Sequence, residues 1–307
     1  LLHRGGVCTA LRLNRQKMIA FVVEVENMMF EHPYHNRRHV ADVVAGIYAF
    51  TLPGGCLYDL VHTSPLALLA VVFAATIHDL QHTGVNNNYL TRTLHPLAIR
   101  HSDKSVNENH HLSCAFDLLG QEDFKFMEVY DTDEYLSFRS LVIEMVLATD
   151  MKSHFSILDS FKRFQKSRQE DVKSVDRAVV MRNVFAIGIK VADLIHCSRP
   201  LELHHKWVDL ITKEFLQQGD LEREKGMKIS PGMDRTQPPG PLQQVGFTEI
   251  FVLPLFKEWR DYARNFGSQG GQAEILCYEG VEKNYKYWLH ASKSKPKPRP
   301  PSDDSPV

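Results

Sequence analysis

With 307 residues, 43% of them hydrophobic and 24% charged, the chain has the make-up of a soluble globular protein with a sizeable core. A formal net charge of −1 argues against a nucleic-acid binder, and the most apolar run, Leu66 to Ile77, is too short to span a bilayer. Five scattered cysteines without a C-x-x-C pair predict free thiols in a reducing compartment, so a cytoplasmic location is expected.

The opening residues show no secretory leader, and Leu1 where a methionine would stand suits an excised or processed piece of a longer chain. Apolar spacing of Met18, Phe21, Val22, Val25 and Met29 predicts a helix over Asn14–Phe30, stopped by His32-Pro33. A second helix is expected over Asn36–Phe50, ending before Pro53-Gly54-Gly55. Ser64-Pro65 reads as an N-cap followed by proline at the first helical position, opening a buried helix that runs to Asp79. Further helices are predicted over Val106–Leu119, Asp133–Thr149, Ser153–Gln169, Asp176–Asp193 and Leu201–Gln218. The last two are expected at about Gly246–Asn265 and Ala273–His290. With almost no β-branched alternation, the fold class is all-α. Ser230-Pro231-Gly232 through Pro241 is an irregular loop long enough to cover a site. The mixed-sign stretch Asp220 to Lys225 reads as a solvated face. Residues 1–291 are expected to form one domain, and 292–307 a Lys/Pro-rich disordered tail.

His35 and His39, and again His78 and His82, repeat a four-residue spacing that would put both imidazoles on one helix face. His78-Asp79 closes one apolar stretch and Asp193 another. A carboxylate at the end of a buried helix is costly without a partner, and a metal ion relieves that cost. Imidazole and carboxylate together suit a borderline-soft divalent ion such as zinc, so the chain reads as a metallohydrolase. His95, His101, His204, His205 and His290 lack this setting and read as surface or helix-end residues. Of His110 and His111, at least one is expected to pack or hydrogen-bond near the site.

The order His39, His78-Asp79, Asp193 resembles the HD metallohydrolase superfamily. The surrounding segments resemble the catalytic domain of class I cyclic-nucleotide phosphodiesterases: YHNRRHVADV from Tyr34, HDLQHTGVNNNYL from His78, VNENHH from Val106, ATDMKSH from Ala148, EFLQQGDLEREKG from Glu214 and QVGFTEIFVLPL from Gln244. The match is collinear over roughly residues 15 to 290, and several motif wordings resemble protozoan, kinetoplastid-type members.

That resemblance implies a compact multi-helix domain with a binuclear metal site. His39, His78, Asp79 and Asp193 would ligate a tight zinc. Asp79 would bridge to a second ion, Mg2+ or Mn2+, held otherwise by waters anchored on His82, Glu108 and Thr149. A hydroxide shared by the two ions would attack phosphorus in line, and His35, kept protonated by Glu214, would be the general acid for the leaving O3′. Gln244 would hydrogen-bond the purine, between the ring of Phe247 and the aliphatic wall of Ile211, with Tyr34 and His196 also lining the substrate pocket. Taken alone, Phe247 and Ile211 read as core packing.

Two departures bear on selectivity. Leu194-Ile195-His196 stands where many relatives have Leu-Ser-Asn, and His196 or Gln244 could offer a donor or an acceptor, so use of both cAMP and cGMP is as plausible as cAMP preference. Gly232 stands where relatives commonly have a larger apolar residue, which would open space beside the base. Competing readings are another HD-type nucleotide phosphohydrolase, which needs neither the YHN motif nor the QVGF clamp, and an inactive cyclic-nucleotide sensor, which should have lost a ligand or the acid.

Overall fold

The structure, a computed structural model, describes residues 6–127, 133–170, 175–267 and 270–294. Among them every regular element is helical. The chain begins with α1 (Val7–Ala10), α2 (Arg15–Asn27), α3 (Arg37–Thr51) and α4 (Tyr58–Val61), then the buried α5 (Pro65–Ile77). Two short helices follow, α6 (Asn87–Arg92) and α7 (Pro96–Arg100), neither of them foreseen. Next come α8 (Val106–Leu119), α9 (Asp133–Thr149), α10 (His154–Glu170) and α11 (Arg177–Asp193). A 3₁₀ turn at Ile195–Ser198 leads into α12 (Leu201–Glu224), and α13 (Pro241–Phe247), α14 (Leu253–Phe266) and α15 (Gln272–Lys293) close the described part. Among the described residues no helix is long and apolar enough to cross a membrane.

Helix α5 is the axis of the domain. Ser64 caps it by accepting the Ala67 N–H at 3.3 Å, Pro65 opens its first turn, and nine of its 13 residues are buried. It packs against α3, α9 and α11, and Phe73 meets Phe21 and Phe138 at ring distances of 5.2 and 5.3 Å. Each such side chain contributes about 1.5–3 kcal/mol through burial, enough to hold the β-branched Val71 and Val72 in a helix they do not favour.

Both histidine pairs depart from the expected helical turn. Asn36 has extended backbone and accepts the Arg38 N–H at 2.8 Å, so it caps α3 and leaves His35 outside the helix. α5 ends at Ile77 with His78 as its C-cap, and Gln81 sits at φ 57°, a left-handed turn that aims His82 independently. The four-residue spacing therefore reflects helix termini, where side chains can converge from one end.

Other boundaries shifted for identifiable reasons. Pro254 cannot donate to the carbonyl four residues back, and the single helix expected over Gly246–Asn265 is divided by a π-helical turn at Thr248–Val252. α12 continues to Glu224, and the expected solvated face fails at Glu222. This carboxylate is buried, accepting the Ser230 N–H at 2.6 Å, the Ser230 hydroxyl at 2.7 Å and the Gln218 amide at 3.0 Å. It fastens the irregular loop to α12, helped by Arg223–Asp234 and Arg235–Asp220 ion pairs. Gly219 lets the loop backbone approach so closely that a Cβ there would lie 1.7 Å from the Met233 carbonyl oxygen. Gly232 has φ 77° and open space around its Cβ position, so the turn itself requires glycine. Of the expected tail, Lys293 still belongs to α15, and residues 295–307 lie outside the described residues.

Candidate active site

His39 from α3, His78 and Asp79 after α5, and Asp193 at the end of α11 converge, with one ligand atom from each lying within 4.8 Å of the others. His39 Nε2 is 3.0 Å from Asp193 Oδ1, 3.3 Å from Asp79 Oδ2 and 3.4 Å from His78 Nε2. His78 Nε2 is 3.3 Å from Asp79 Oδ2 and 3.6 Å from Asp193 Oδ1. Ligands about 2.1 Å from a shared ion lie about 3.0–3.4 Å from one another, so all but the 3.6 Å His78–Asp193 separation are those that the edges of a coordination shell would have. His78 Nδ1 donates to the Ala75 carbonyl at 2.9 Å, which leaves the Nε2 lone pair facing the cluster. Asp79 Oδ2 is buried without a hydrogen-bond partner. Burial opposes an imidazolium at His78, yet Asp79 and Asp193 raise its pKa well above the ordinary range, the signature of a field that attracts cations. The donor set fits a divalent metal ion.

Glu214, buried on α12, organises the neighbouring His35. Its Oε2 accepts the backbone N–H of Tyr34 at 2.8 Å and of His35 at 3.0 Å, while its Oε1 accepts a short hydrogen bond from His35 Nδ1. Burial disfavours a charged His35, but Asp79 and Glu214 more than offset it and raise its pKa. The His35 ring stacks on His82 with centroids 3.8 Å apart, which sets it against the Asp79 side of the cluster. With Nδ1 engaged by Glu214, Nε2 is the nitrogen free to serve a ligand.

His82 accepts the Gly84 N–H at Nδ1, at 3.1 Å, and burial together with His35 lowers its pKa well below the ordinary value, so it is a neutral ring. Glu108 accepts from the Asn87 amide at 2.9 Å; burial and the charge of Asp150 push its carboxyl up to about 7. Thr149 is buried and donates to the Val146 carbonyl at 2.7 Å. His111 meets the sequence expectation for its pair, with Nδ1 2.6 Å from the Leu80 carbonyl oxygen and Nε2 3.8 Å from Asp79 Oδ1.

On the other flank, Tyr34 is buried between His39, His196 and Trp207, with ring distances of 4.6, 5.8 and 5.6 Å. Trp207, which also faces His39 at 6.1 Å, was missed by the sequence reading. Its signal was the i, i+4, i+7 spacing of Trp207, Ile211 and Glu214, which puts all three on one face of α12. His204, read as a surface or helix-end residue, lies in the first turn of α12 but is buried, stacked on His196 at 5.5 Å. Gln244 and Phe247 are half-buried on α13, and Phe247 meets Phe251 at 5.7 Å. The structure brings the His39–His78–Asp79–Asp193 cluster, His35, Glu214, His82, Tyr34 and His196 together; Gln244 and Phe247 lie on α13, with Phe247 packed against the hydrophobic core.

Residues 34–269 match the 3′5′-cyclic nucleotide phosphodiesterase family. The chain is 35% identical over 265 residues to the dual specificity calcium/calmodulin-dependent 3′,5′-cyclic nucleotide phosphodiesterase 1B of Bos taurus, and 33% identical to the protein of the same name from Cricetulus griseus. Both alignments cover 86% of this chain and 48% of the relative, so the chain spans about half the length of the curated relatives it matches. The extent of this match, on a helical frame that gathers the His and Asp residues into one cluster, places the chain in the 3′,5′-cyclic nucleotide phosphodiesterase family.

Proposed function

We propose that this domain hydrolyses cAMP and cGMP to their 5′-monophosphates, acting on single nucleotides in the cytoplasm. The observation that carries the reading is the setting of the His35–Glu214 pair directly beside the four-residue ligand cluster. His39, His78, Asp79 and Asp193 would hold zinc, and Asp79 would reach a second ion, magnesium or manganese, whose waters His82, Glu108 and Thr149 would anchor. When bound, such ions supply Lewis-acid charge beside the phosphoryl oxygens and lower the pKa of water toward neutrality.

The protein's own residues do the rest. His35 delivers a proton from Nε2 to the departing O3′, and Glu214 keeps the ring charged and oriented. Tyr34 closes the wall between the reacting phosphate and the base. Gln244 hydrogen-bonds the purine, between Phe247 and Ile211. His196 contacts the base edge, and as a neutral ring it can present a donor or an acceptor, which suits both nucleotides. The names of the relatives, which carry dual specificity, agree with this reading.

The test is hydrolysis of cAMP and cGMP by metal-loaded protein beside EDTA-treated protein. Metal-dependent release of both 5′-monophosphates is expected. No turnover of either with both ions supplied would overturn the reading.

A further inference from the structure

The turn that carries His196 is built by helix α15 as much as by its own residues. It spans Ile195–Ser198, and Asn284 of α15 donates from one amide nitrogen to the Cys197 carbonyl at 2.8 Å and to the Arg199 carbonyl at 2.9 Å. Asn284 is 3% exposed, so these carbonyls have traded water for a single side chain. One turn earlier, Gly280 allows the helix to press on the turn, since a Cβ there would lie 2.2 Å from the Ser198 carbonyl oxygen. One turn later, Trp288 Nε1 donates to His204 Nε2 at 2.9 Å, and His204 stacks on His196. From the far side Arg199 pairs with Asp42 of α3 at 2.5 Å.

His196, Cys197 and His204 also lie within 4.8 Å of one another, as metal ligands would. Hydrogen-bond chemistry removes that reading. Trp288 can only donate, so it occupies the His204 Nε2 lone pair, and the neutral ring then carries its proton on Nδ1. Neither nitrogen of His204 offers a free lone pair to an ion. What remains is a stack whose outer layer is anchored on α15 and whose inner layer is His196.

We infer that Asn284 is a positioning residue for nucleotide selectivity: by holding the Cys197 and Arg199 carbonyls it sets where His196 meets the base, and so the relative affinity for cAMP and cGMP. This rests on the placing of His196 at the base proposed above. Of the ligand cluster only Asp193 adjoins this turn, and it is held by α11, while His39, His78 and Asp79 hang on α3 and α5, so loss of the clamp should alter recognition of the base and spare the chemistry.

Asn284→Asp keeps shape while replacing a two-proton donor with an acceptor that repels both carbonyls. The experiment measures KM and kcat for both nucleotides, equilibrium binding of each, and bound metal, in wild type, Asn284→Asp, His196→Ala and the double variant. Expected are a change of about fivefold or more in the cAMP-to-cGMP ratio of KM, with kcat within about twofold and metal content unchanged. In the His196→Ala background the Asn284 effect should vanish. Gly280→Ala, which displaces the same turn from the next contact along α15, should shift the ratio too and serves if Asn284→Asp fails to fold. An unaltered ratio, parallel loss of both activities, or a shift that persists without His196 overturns the inference while leaving the proposed activity standing. Wild-type protein that neither binds nor turns over either nucleotide refutes the activity, and the inference with it.

Discussion

Replacing Glu214 with Gln isolates the charge that keeps His35 an acid. Three donors converge on this carboxylate: the Tyr34 and His35 N–H groups on Oε2 and the His35 ring on Oε1. In Glu214→Gln the amide oxygen can retain the two backbone donors, so the helix entrance survives. The amide nitrogen then faces His35 Nδ1 and can only donate, which favours a neutral ring with Nδ1 as acceptor. A hydrogen bond to a charged group contributes about 1.5–3 kcal/mol and a neutral one about 1, so the imidazolium loses about 0.5–2 kcal/mol. At 1.36 kcal/mol per pH unit, its pKa falls by about one unit. A general acid works only while protonated, so activity is lost as pH rises through that pKa. The alkaline limb of kcat/KM should therefore move down by about one pH unit in the variant, with roughly tenfold loss at pH values above both limbs and recovery toward wild type on acidification. The assay is a profile of kcat/KM for cAMP from pH 5.5 to 9.5. An alkaline limb at the wild-type position would refute the assignment of His35 and Glu214 as acid and partner.

Asp193→Ala leaves the cluster a ligand short. Losing a group that merely supports a ligand costs about 10–100-fold in metal affinity, so losing the ligand should cost more. Elemental analysis after dialysis should find the tight ion gone, and full occupancy would remove Asp193 from the set. Gly219→Ala drives a methyl into the Met233 carbonyl, so the loop backbone must move. A loss of about 1–3 kcal/mol, read by urea denaturation, and faster proteolysis within 227–240 are expected; unchanged stability would contradict the close approach. Lys190 is buried, donating to the Ala148 carbonyl at 2.7 Å, and burial pushes its ammonium down from 10.5 to about 8. The folded state then holds this proton less tightly than the unfolded chain. The resulting penalty of about 3 kcal/mol is fully present below pH 8 and relieved as pH rises toward 10.5. Denaturation of wild type and Lys190→Met between pH 7.5 and 10 should show the wild type gaining stability relative to the variant, and parallel curves would refute it.

The clustering of His39, His78, Asp79 and Asp193 was legible because these residues are costly where they stand. His78, Asp79 and Asp193 each end an apolar helix, and only a partner of high charge justifies them there. Long helices with periodic faces, such as α8 and α9, were readable to the residue. The short α6 and α7 were not, because their stability comes from the caps of Asn86 and His95 and from packing around Leu90 and Val106. The helix expected from Asn36 already left His35 before its start, but the histidine spacing was read as one helix face; Asn36 is the N-cap, accepting the Arg38 N–H, so His35 stands outside the helix. The burial of Glu222 and His204 depends on segments distant in sequence, the Ser230 loop and Trp288, and no local pattern announces either.

The ligand cluster joins residues as far apart as His39 and Asp193, 154 positions along the chain. An unfolded polypeptide cannot offer that set to one ion, so metal binding at this cluster would be thermodynamically linked to folding. Free ion at a thousand times its dissociation constant would stabilise the fold by about 4 kcal/mol, comparable to the whole margin of many domains. A bound ion would thus act as a reversible cross-link between three distant stretches of chain, and metal supply would bear on the stability of this domain as well as on its proposed activity.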